Sequence, residues 1–310
     1  MWRWFRSASI AVILILNCIA PNIANAGEQI DQHILPDFYD QPIPRYLQPS
    51  LQNAPHDYPK PYLDGCHTQQ NMAQNLNKCE YGNLKSKTTV VLFGDSHALS
   101  WFPTIEKLAI YKNWKLISLT MSSCWPASIP AWNSTTQMLM TNCDIWRDNV
   151  IEKISTLNAK YIFVAGTSGF ATLDSAGNLA VGQKREEIWR AGMNLTLAKL
   201  KSDASKIFYL SDYPISISDP NSCLSNSKRL INCVQPLSQA VNFDWLQVEH
   251  DVATENGAIF IDTTELICET DPCAPIVDHL LKYRDAGHLT STYAKSLFTE
   301  LYKVLKPNLT

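Results

Sequence analysis

"TTVVLFGDSHALSWFPTIEKLA", Thr88–Ala109, changes character at its middle. Its first half, "TTVVLFG", is a run of β-branched, aliphatic and aromatic residues, the composition of a strand buried on both faces. Gly94 closes the run. "ALSWFPTIEKLAIYK" then reads as a helix, with Pro103 near its first turns. Ser96 sits between the two, on a strand-to-helix turn, flanked by Asp95 and His97.

The same alternation continues downstream. "WKLISLT", "AKYIFVAG", "SKIFYLSDYP" and "AIFIDTTEL" read as four more strands. Between them, "TTQMLMTNCDIWRDNVIEKISTLN", "QKREEIWRAGMNLTLAKLKSDA" and "LSQAVNFDWLQVEHDVATENG" carry helical periodicity, and a last helix spans about Ser291 to Leu305. Near-continuous apolar strands alternating with helices predict an α/β fold. The expected architecture is a three-layer α/β/α, flavodoxin-like fold with a mainly parallel five-stranded sheet covered on both faces. Sites in such sheets lie at the carboxyl ends of the strands. Those ends are Gly94–His97, Met121–Cys124, Gly166–Gly169, Ser211–Pro214 and Asp262–Thr264.

The 310-residue chain begins with Arg3 and Arg6, an apolar run from Ala8 to Leu16, and Ala24-Asn25-Ala26. This is the order of an export signal, with cleavage expected after Ala26; the run is short of the roughly 20 residues a span needs. Residues 27–62 are polar and proline-rich and predict an extended arm, followed by the α/β domain over 63–310. The formal charge of −3 includes Arg3 and Arg6, so the mature chain carries −5. A mildly acidic chain without basic clusters speaks against nucleic acid as a partner. No later apolar stretch is long enough to span a membrane.

Eight cysteines follow the leader, and an even count in an exported chain predicts disulfides. They fall into neighbouring pairs, Cys66–Cys79, Cys124–Cys143, Cys223–Cys233 and Cys268–Cys273, each expected to close a short loop. No C-x-x-C or H-x-x-x-H spacing suggests a metal site, and no cofactor is expected.

On "GDS" alone, a nucleophile and an ordinary Asp/Ser helix cap stand equal. A nucleophilic serine needs a base, and the base needs an orienting group. His288 lies just before the last helix in "KYRDAGHLTSTYAKSL", with Asp285 three residues upstream. A D-x-x-H turn can set the carboxylate beside Nδ1 of its own histidine and leave Nε2 for the serine. The rival pair Asp278–His279 lies in "PIVDHLLKY", which looks extended, and neighbours in extended chain point oppositely. His250 is mid-helix and expected at the surface.

"FGDSH" after a strand and "DAGHLT" before the terminal helix resemble the first and last blocks of the SGNH (GDSL-type) hydrolases. The closer resemblance is to the SGNH domain fused to membrane acyltransferases that O-acylate cell-surface polysaccharides and peptidoglycan. That subfamily also carries a cysteine after the second strand, here "SSCWP", and a cysteine pair before D-x-x-H, as in "LICETDPCAPIVDHLLKYRDAGHLT". The resemblance spans about Leu63 to Leu305. It implies Ser96 as nucleophile, His288 as general base and acid, and Asp285 as its orienter. The chain departs from the broader pattern in two places. The oxyanion asparagine of the third block is replaced by Thr167 and Ser168 in "VAGTSGF", and the second-block glycine is missing from "MSSCWP". Asp95, His97, Ser123, Gly166, Thr167 and Ser168 are therefore the candidates for oxyanion or site-shaping roles, and Trp125 and Trp132 for substrate contact. His97 could shape the site or simply pack.

These expectations describe an exported, periplasmic or secreted serine esterase or O-acyltransferase. Its substrate would be an acylated cell-envelope carbohydrate or peptidoglycan, and a separate membrane acyltransferase would be its partner. The alternative is a non-catalytic carbohydrate-binding or scaffolding protein on the same fold, motivated by the two departed blocks.

Overall fold

The period-2 alternation of the central strand sorts its side chains into two cores. In β3 (Thr89–Gly94), every residue is buried. Val90 and Leu92 enter one hydrophobic cluster, and Val91 and Phe93 enter the other. A strand with two apolar faces needs a layer of helices on each. The computed structural model describes residues 40–72, 79–201 and 205–309, all within the compact unit Leu35–Thr310. The expected leader, residues 1–26, and the first part of the expected arm lie outside the described residues.

In chain order the elements before β3 are α1 (Lys60–Leu63), β1 (His67–Thr68) and β2 (Glu80–Gly82). After it come α2 (Ser96–Ser100), α3 (Phe102–Tyr111), β4 (Lys115–Met121), β5 (Trp132–Asn133) and β6 (Met138–Leu139). Then follow α4 (Thr141–Thr156), β7 (Tyr161–Ala165), α5 (Gly182–Leu200), β8 (Lys206–Leu210) and α6 (Pro220–Asn226). The chain continues through α7 (Leu237–Ala240), α8 (Phe243–Glu255), β9 (Ile259–Ile261) and α9 (Thr264–Ile267). It closes with β10 (Ile276–Val277), β11 (Leu280–Leu281), α10 (Ser291–Ser296) and α11 (Phe298–Leu305).

The five expected strands lie side by side in the order β4-β3-β7-β8-β9, all parallel. Two short strands extend this sheet on the far side of β4. His67 and Thr68 pair parallel with Thr120 and Met121, and Glu80–Gly82 pairs antiparallel with Lys115–Ile117. Residues of α3, α10 and α11 fill the first cluster, and residues of α4, α5 and α8 fill the second. Four disulfides join Cys66–Cys79, Cys124–Cys143, Cys223–Cys233 and Cys268–Cys273, with Cα separations of 5.1–5.8 Å.

Several element boundaries differ from the sequence reading. The first helix breaks at Trp101, because Pro103 has no N–H and fits only the first turn of a new helix. The expected helix from Thr135 starts only at Thr141. Asn133 Oδ1 accepts the Thr135 and Thr136 N–H groups at 2.9 and 3.0 Å, which turns the chain into the β5–β6 hairpin. Leu237–Ala240 and α8 are separate helices, since Asn242 stops one and caps the other by accepting Trp245 N–H at 3.1 Å. "PIVDHLLKY" is not one extended run but a tight hairpin, β10–β11, whose turn residues Asp278 and His279 both have positive φ.

The described part of the arm, residues 40–62, lies on the domain. Ala54 is buried in a third apolar cluster with Leu224, Leu230, Ala274, Ile276 and Leu281. Asp57 reaches the start of α10, accepting Ser291 N–H on its carbonyl at 3.0 Å and Thr292 N–H on Oδ2 at 2.9 Å.

Gly94 is the position where backbone geometry leaves no choice. Its φ is +147°, and a Cβ there would lie 1.8 Å from the carbonyl oxygen of Ala165 on β7. Gly94→Ala combines a left-handed backbone with an overlap inside the central strand pair. It is expected to cost about 3 kcal/mol or more, read as a lowered guanidinium midpoint.

Candidate active site

Ser96 is the first residue of α2, and its cap is built by Asp95. The fully buried Asp95 carboxylate accepts His97 N–H on Oδ1 at 2.7 Å and Thr167 N–H on Oδ2 at 2.8 Å. It thereby ties the end of β3 to the end of β7. Burial pushes this carboxyl above its usual range, while the His97 charge and the two backbone donors pull it back. As an acceptor, Asp95 cannot donate to an oxyanion. By its position as first residue of the helix, the N–H of Ser96 has no intrahelical partner.

The other half of the site is the turn before α10. Asp285 Oδ1 accepts the N–H groups of Gly287 and His288 at 2.9 and 2.8 Å, so the aspartate folds its own loop. The same carboxylate lies 2.9 and 3.0 Å from His288 Nδ1. On the far side of the ring, His288 Nε2 is 2.9 Å from Ser96 Oγ, across 192 residues of sequence. Ser96, His288 and Asp285 therefore form one hydrogen-bonded line within the reach that proton transfer needs. Burial would raise the Asp285 pKa. The hydrogen bond from His288, the His288 and Arg284 charges and the Gly287 N–H outweigh it and hold the group at about 2. Burial lowers His288 below the ordinary histidine value, helped by the charges of His97 and Arg284 and opposed by Asp285. The result is a neutral imidazole beside an ionised carboxylate at neutral pH.

Two further groups, not singled out by the sequence reading, complete this arrangement. Asp212, at the carboxyl end of β8, holds His97 Nδ1 on Oδ1 at 2.6 Å. Its Oδ2 accepts both the N–H and the hydroxyl of Ser168 at 2.7 and 2.8 Å. Burial disfavours a charged His97, but the Asp212 charge and hydrogen bond, with Asp95 and Asp285 behind, raise its pKa to about 9. Its ring stacks on Tyr213 and stands edge-on to His288, with centroids 4.9 and 5.4 Å apart. Arg284 is buried next to the triad line. Its Nη1 is 3.3 Å from Asp285 Oδ2, Nη2 donates to the Tyr62 hydroxyl at 3.3 Å, and the guanidinium lies over the rings of Tyr58 and Tyr62. The arm thus meets the guanidinium that sits beside the Asp285 carboxylate. Asp212 had one sequence signal, its place in the fourth strand end. Arg284 had only its adjacency to Asp285.

The remaining candidates separate by their bonds. The backbone N–H groups of His97 and Thr167 are engaged by Asp95, and those of Ser168 by Asp212. Ser123 is exposed with φ +53°. Its loop is pinned by buried His67, which meets Thr120 Oγ1 at 3.0 Å and Ser122 Oγ at 2.9 Å. Burial holds His67 neutral, with a pKa of about 3. Gly166 has Pro126 and Asp95 against the space a Cβ would take. Trp125 is buried against Phe170 in the second core, a packing position in place of the expected open contact. Trp132 is half-buried on β5. His250 lies exposed on α8, and His279 lies exposed at the hairpin turn. Among the described residues, no group of three His, Cys, Asp or Glu side chains could hold a metal ion, and no helix is long and apolar enough to cross a membrane.

Ser96, His288 and Asp285 thus meet at the carboxyl end of β3 in a parallel α/β sheet. The family described as the SGNH domain fused to AT3 domains matches residues 65–303, and the chain belongs to that family. The fold is similar to the periplasmic domain of a lipopolysaccharide acetyltransferase from Salmonella ser. Paratyphi A. That match has 16% identity and a TM-score of 0.61, and covers 83% of this chain and 97% of that one. More distant matches include an aryl esterase from M. smegmatis, at 12% identity and TM-score 0.41, covering 72% of this chain and 100% of that one. A GDSL-like lipase from Bacteroides thetaiotaomicron matches at 12% identity and TM-score 0.41, covering 73% of this chain and 91% of that one. No curated protein matches the chain.

Proposed function

We propose that this protein is an exported serine esterase or O-acetyltransferase that acts on acetyl groups of cell-envelope carbohydrate through Ser96, His288 and Asp285. The observation that carries the reading is the 2.9 Å approach of His288 Nε2 to Ser96 Oγ, with Asp285 on the opposite ring nitrogen. Family membership sets the reaction class as ester hydrolysis or acetyl transfer. The leader expected at residues 1–26, the disulfides and the likeness to a periplasmic acetyltransferase domain support export and a carbohydrate substrate. An AT3-type membrane acyltransferase is the partner that would supply acyl groups.

The chemistry follows from the protonation states. Ser96 Oγ donates its hydrogen bond to neutral His288, passes the proton to Nε2 and attacks the ester carbonyl. Asp285 keeps Nδ1 protonated and stabilises the imidazolium that forms. The negative oxygen of the tetrahedral intermediate meets the Ser96 N–H at the start of α2, where the helix dipole adds to the effect. Collapse of the intermediate expels the sugar oxygen with the proton from His288 and leaves Ser96 acylated. Water or a sugar hydroxyl, deprotonated by His288, then takes the acyl group and returns the serine.

Hydrolysis of p-nitrophenyl acetate and of an acetylated glycan by residues 27–310, measured beside Ser96→Ala, tests the reading. A wild-type rate no higher than the mutant background on both substrates would leave the non-catalytic alternative. The acid limb is a second test. kcat/KM should fall with the slope of a single proton only below a pKa lying under the ordinary 6.5 of histidine. His97→Gln removes the neighbouring cation that disfavours protonation of His288, so the acid limb should move to higher pH.

A further inference from the structure

A pocket of about 150 Å³ opens at the carboxyl ends of β7 and β8, lined by Ser168, Asp212, Tyr213, Asn242, Trp245 and Glu249 among others, and connected to Ser96 through Asp212, which holds the neighbouring His97. Resting on the hydrolase or transferase reading, we infer that this pocket is the subsite for one neutral sugar ring of the acylated substrate. Its size is the first argument. A cavity of roughly this volume accommodates a six-membered ring, too large for an acetyl methyl group alone.

The chemistry of the wall is the second. Asp212 and Ser168 form one side, and the same carboxylate holds His97 next to the nucleophile. The opposite side comes from the first turns of α8, with Asn242 exposed at the cap and Trp245 inside. Aliphatic contact comes from Ile215 and Leu246. A pyranose offers this mixture its complement, C–H faces for the apolar surface and hydroxyls for the polar groups. An alkyl chain would leave these groups without partners, which costs binding.

Charge is the third argument, and it excludes an anion. Asp212 is balanced by His97. Burial, with the Asp212 charge behind it, raises the Glu249 pKa well above the usual range, and its two oxygens accept from the Tyr209 hydroxyl and the Asp212 N–H, so the wall offers an anion acceptors and no donor cation. Arg185 is spent on the Ser168 carbonyl and the faces of Phe170 and Trp245. No free cation remains in the wall among the described residues.

The test measures binding of methyl 6-O-acetyl-glucopyranoside, which keeps its ring hydroxyls free, to the Ser96→Ala protein, which cannot turn it over, by calorimetry or ligand-observed NMR. Ile215→Trp fills the mouth from an exposed position. Asn242→Asp keeps the helix cap while replacing an amide donor by a charge. Each should weaken binding by about tenfold, the worth of one hydrogen bond or of the occluded ring contact, with an unchanged melting temperature. Equal affinity in all three proteins would overturn the inference. So would tighter binding of hexyl acetate than of the sugar ester with loss of that binding in Ile215→Trp, because the pocket would then hold an alkyl chain. Turnover by the wild-type protein is read separately: its absence would sink the enzymatic reading without altering what the binding data say of the pocket.

Discussion

Ser96→Ala is expected to lower kcat/KM for p-nitrophenyl acetate by about 10⁴-fold or more, because a triad works as a unit and loses most of its rate when the nucleophile is removed. The fold should not notice. Ser96 is half-buried, and the hydrogen bond its hydroxyl makes is the one to His288. The helix start is secured by Asp95 through the N–H groups of His97 and Ala98, neither of which involves the serine hydroxyl. Denaturant midpoints of the two proteins should therefore agree within about 0.5 kcal/mol. A variant with wild-type folding and more than a tenth of the wild-type rate would mean that some other group attacks the ester.

The central strands were legible because each is a short continuous apolar run between turn signals, and burial on both faces demands that composition. The two strands beyond β4 were not. His67–Thr68 and Glu80–Gly82 are too short to show a period, and they pair only because the Cys66–Cys79 disulfide and β4 hold them there. The site divides in the same way. Ser96 and the Asp285–His288 turn could be read because their chemistry is local: a glycine-ended strand before a helix, and a carboxylate three residues from its histidine. Asp212 meets His97 across 115 residues, and Arg284 meets Tyr62 across 222. No spacing rule links such groups; the sheet order and the path of the arm bring them together. The same blindness explains Thr167 and Ser168. Their hydroxyls suggested oxyanion donors; the Ser168 hydroxyl already donates to Asp212 from 44 residues away, whereas Thr167 Oγ1 accepts the Gly169 N–H at 3.0 Å.

Asp285→Asn separates the shaping of the turn from the orienting role proposed for Asp285. The aspartate shapes the turn by accepting the N–H groups of Gly287 and His288 on Oδ1. An asparagine oxygen does this equally well, so the loop and α10 should stay in place. The proposed role is to hold a proton on His288 Nδ1. With an amide NH₂ facing the ring, Nδ1 becomes an acceptor and the proton moves to Nε2, where it blocks transfer from Ser96. The expected result is a fall in kcat of about 10⁴-fold with KM little changed, since Asp285 is placed to orient the base and not to touch substrate. Arg284 sharpens the test. Its buried guanidinium loses an ionised neighbour at 3.3 Å, so some loss of stability is expected, visible as a lower melting temperature. Arg284→Met made together with Asp285→Asn removes that unpaired charge. Stability should then recover while kcat stays low, because the tautomer is still wrong. If kcat recovered along with stability, Asp285 would be serving the loop alone, and the orienting role would have to pass to another group.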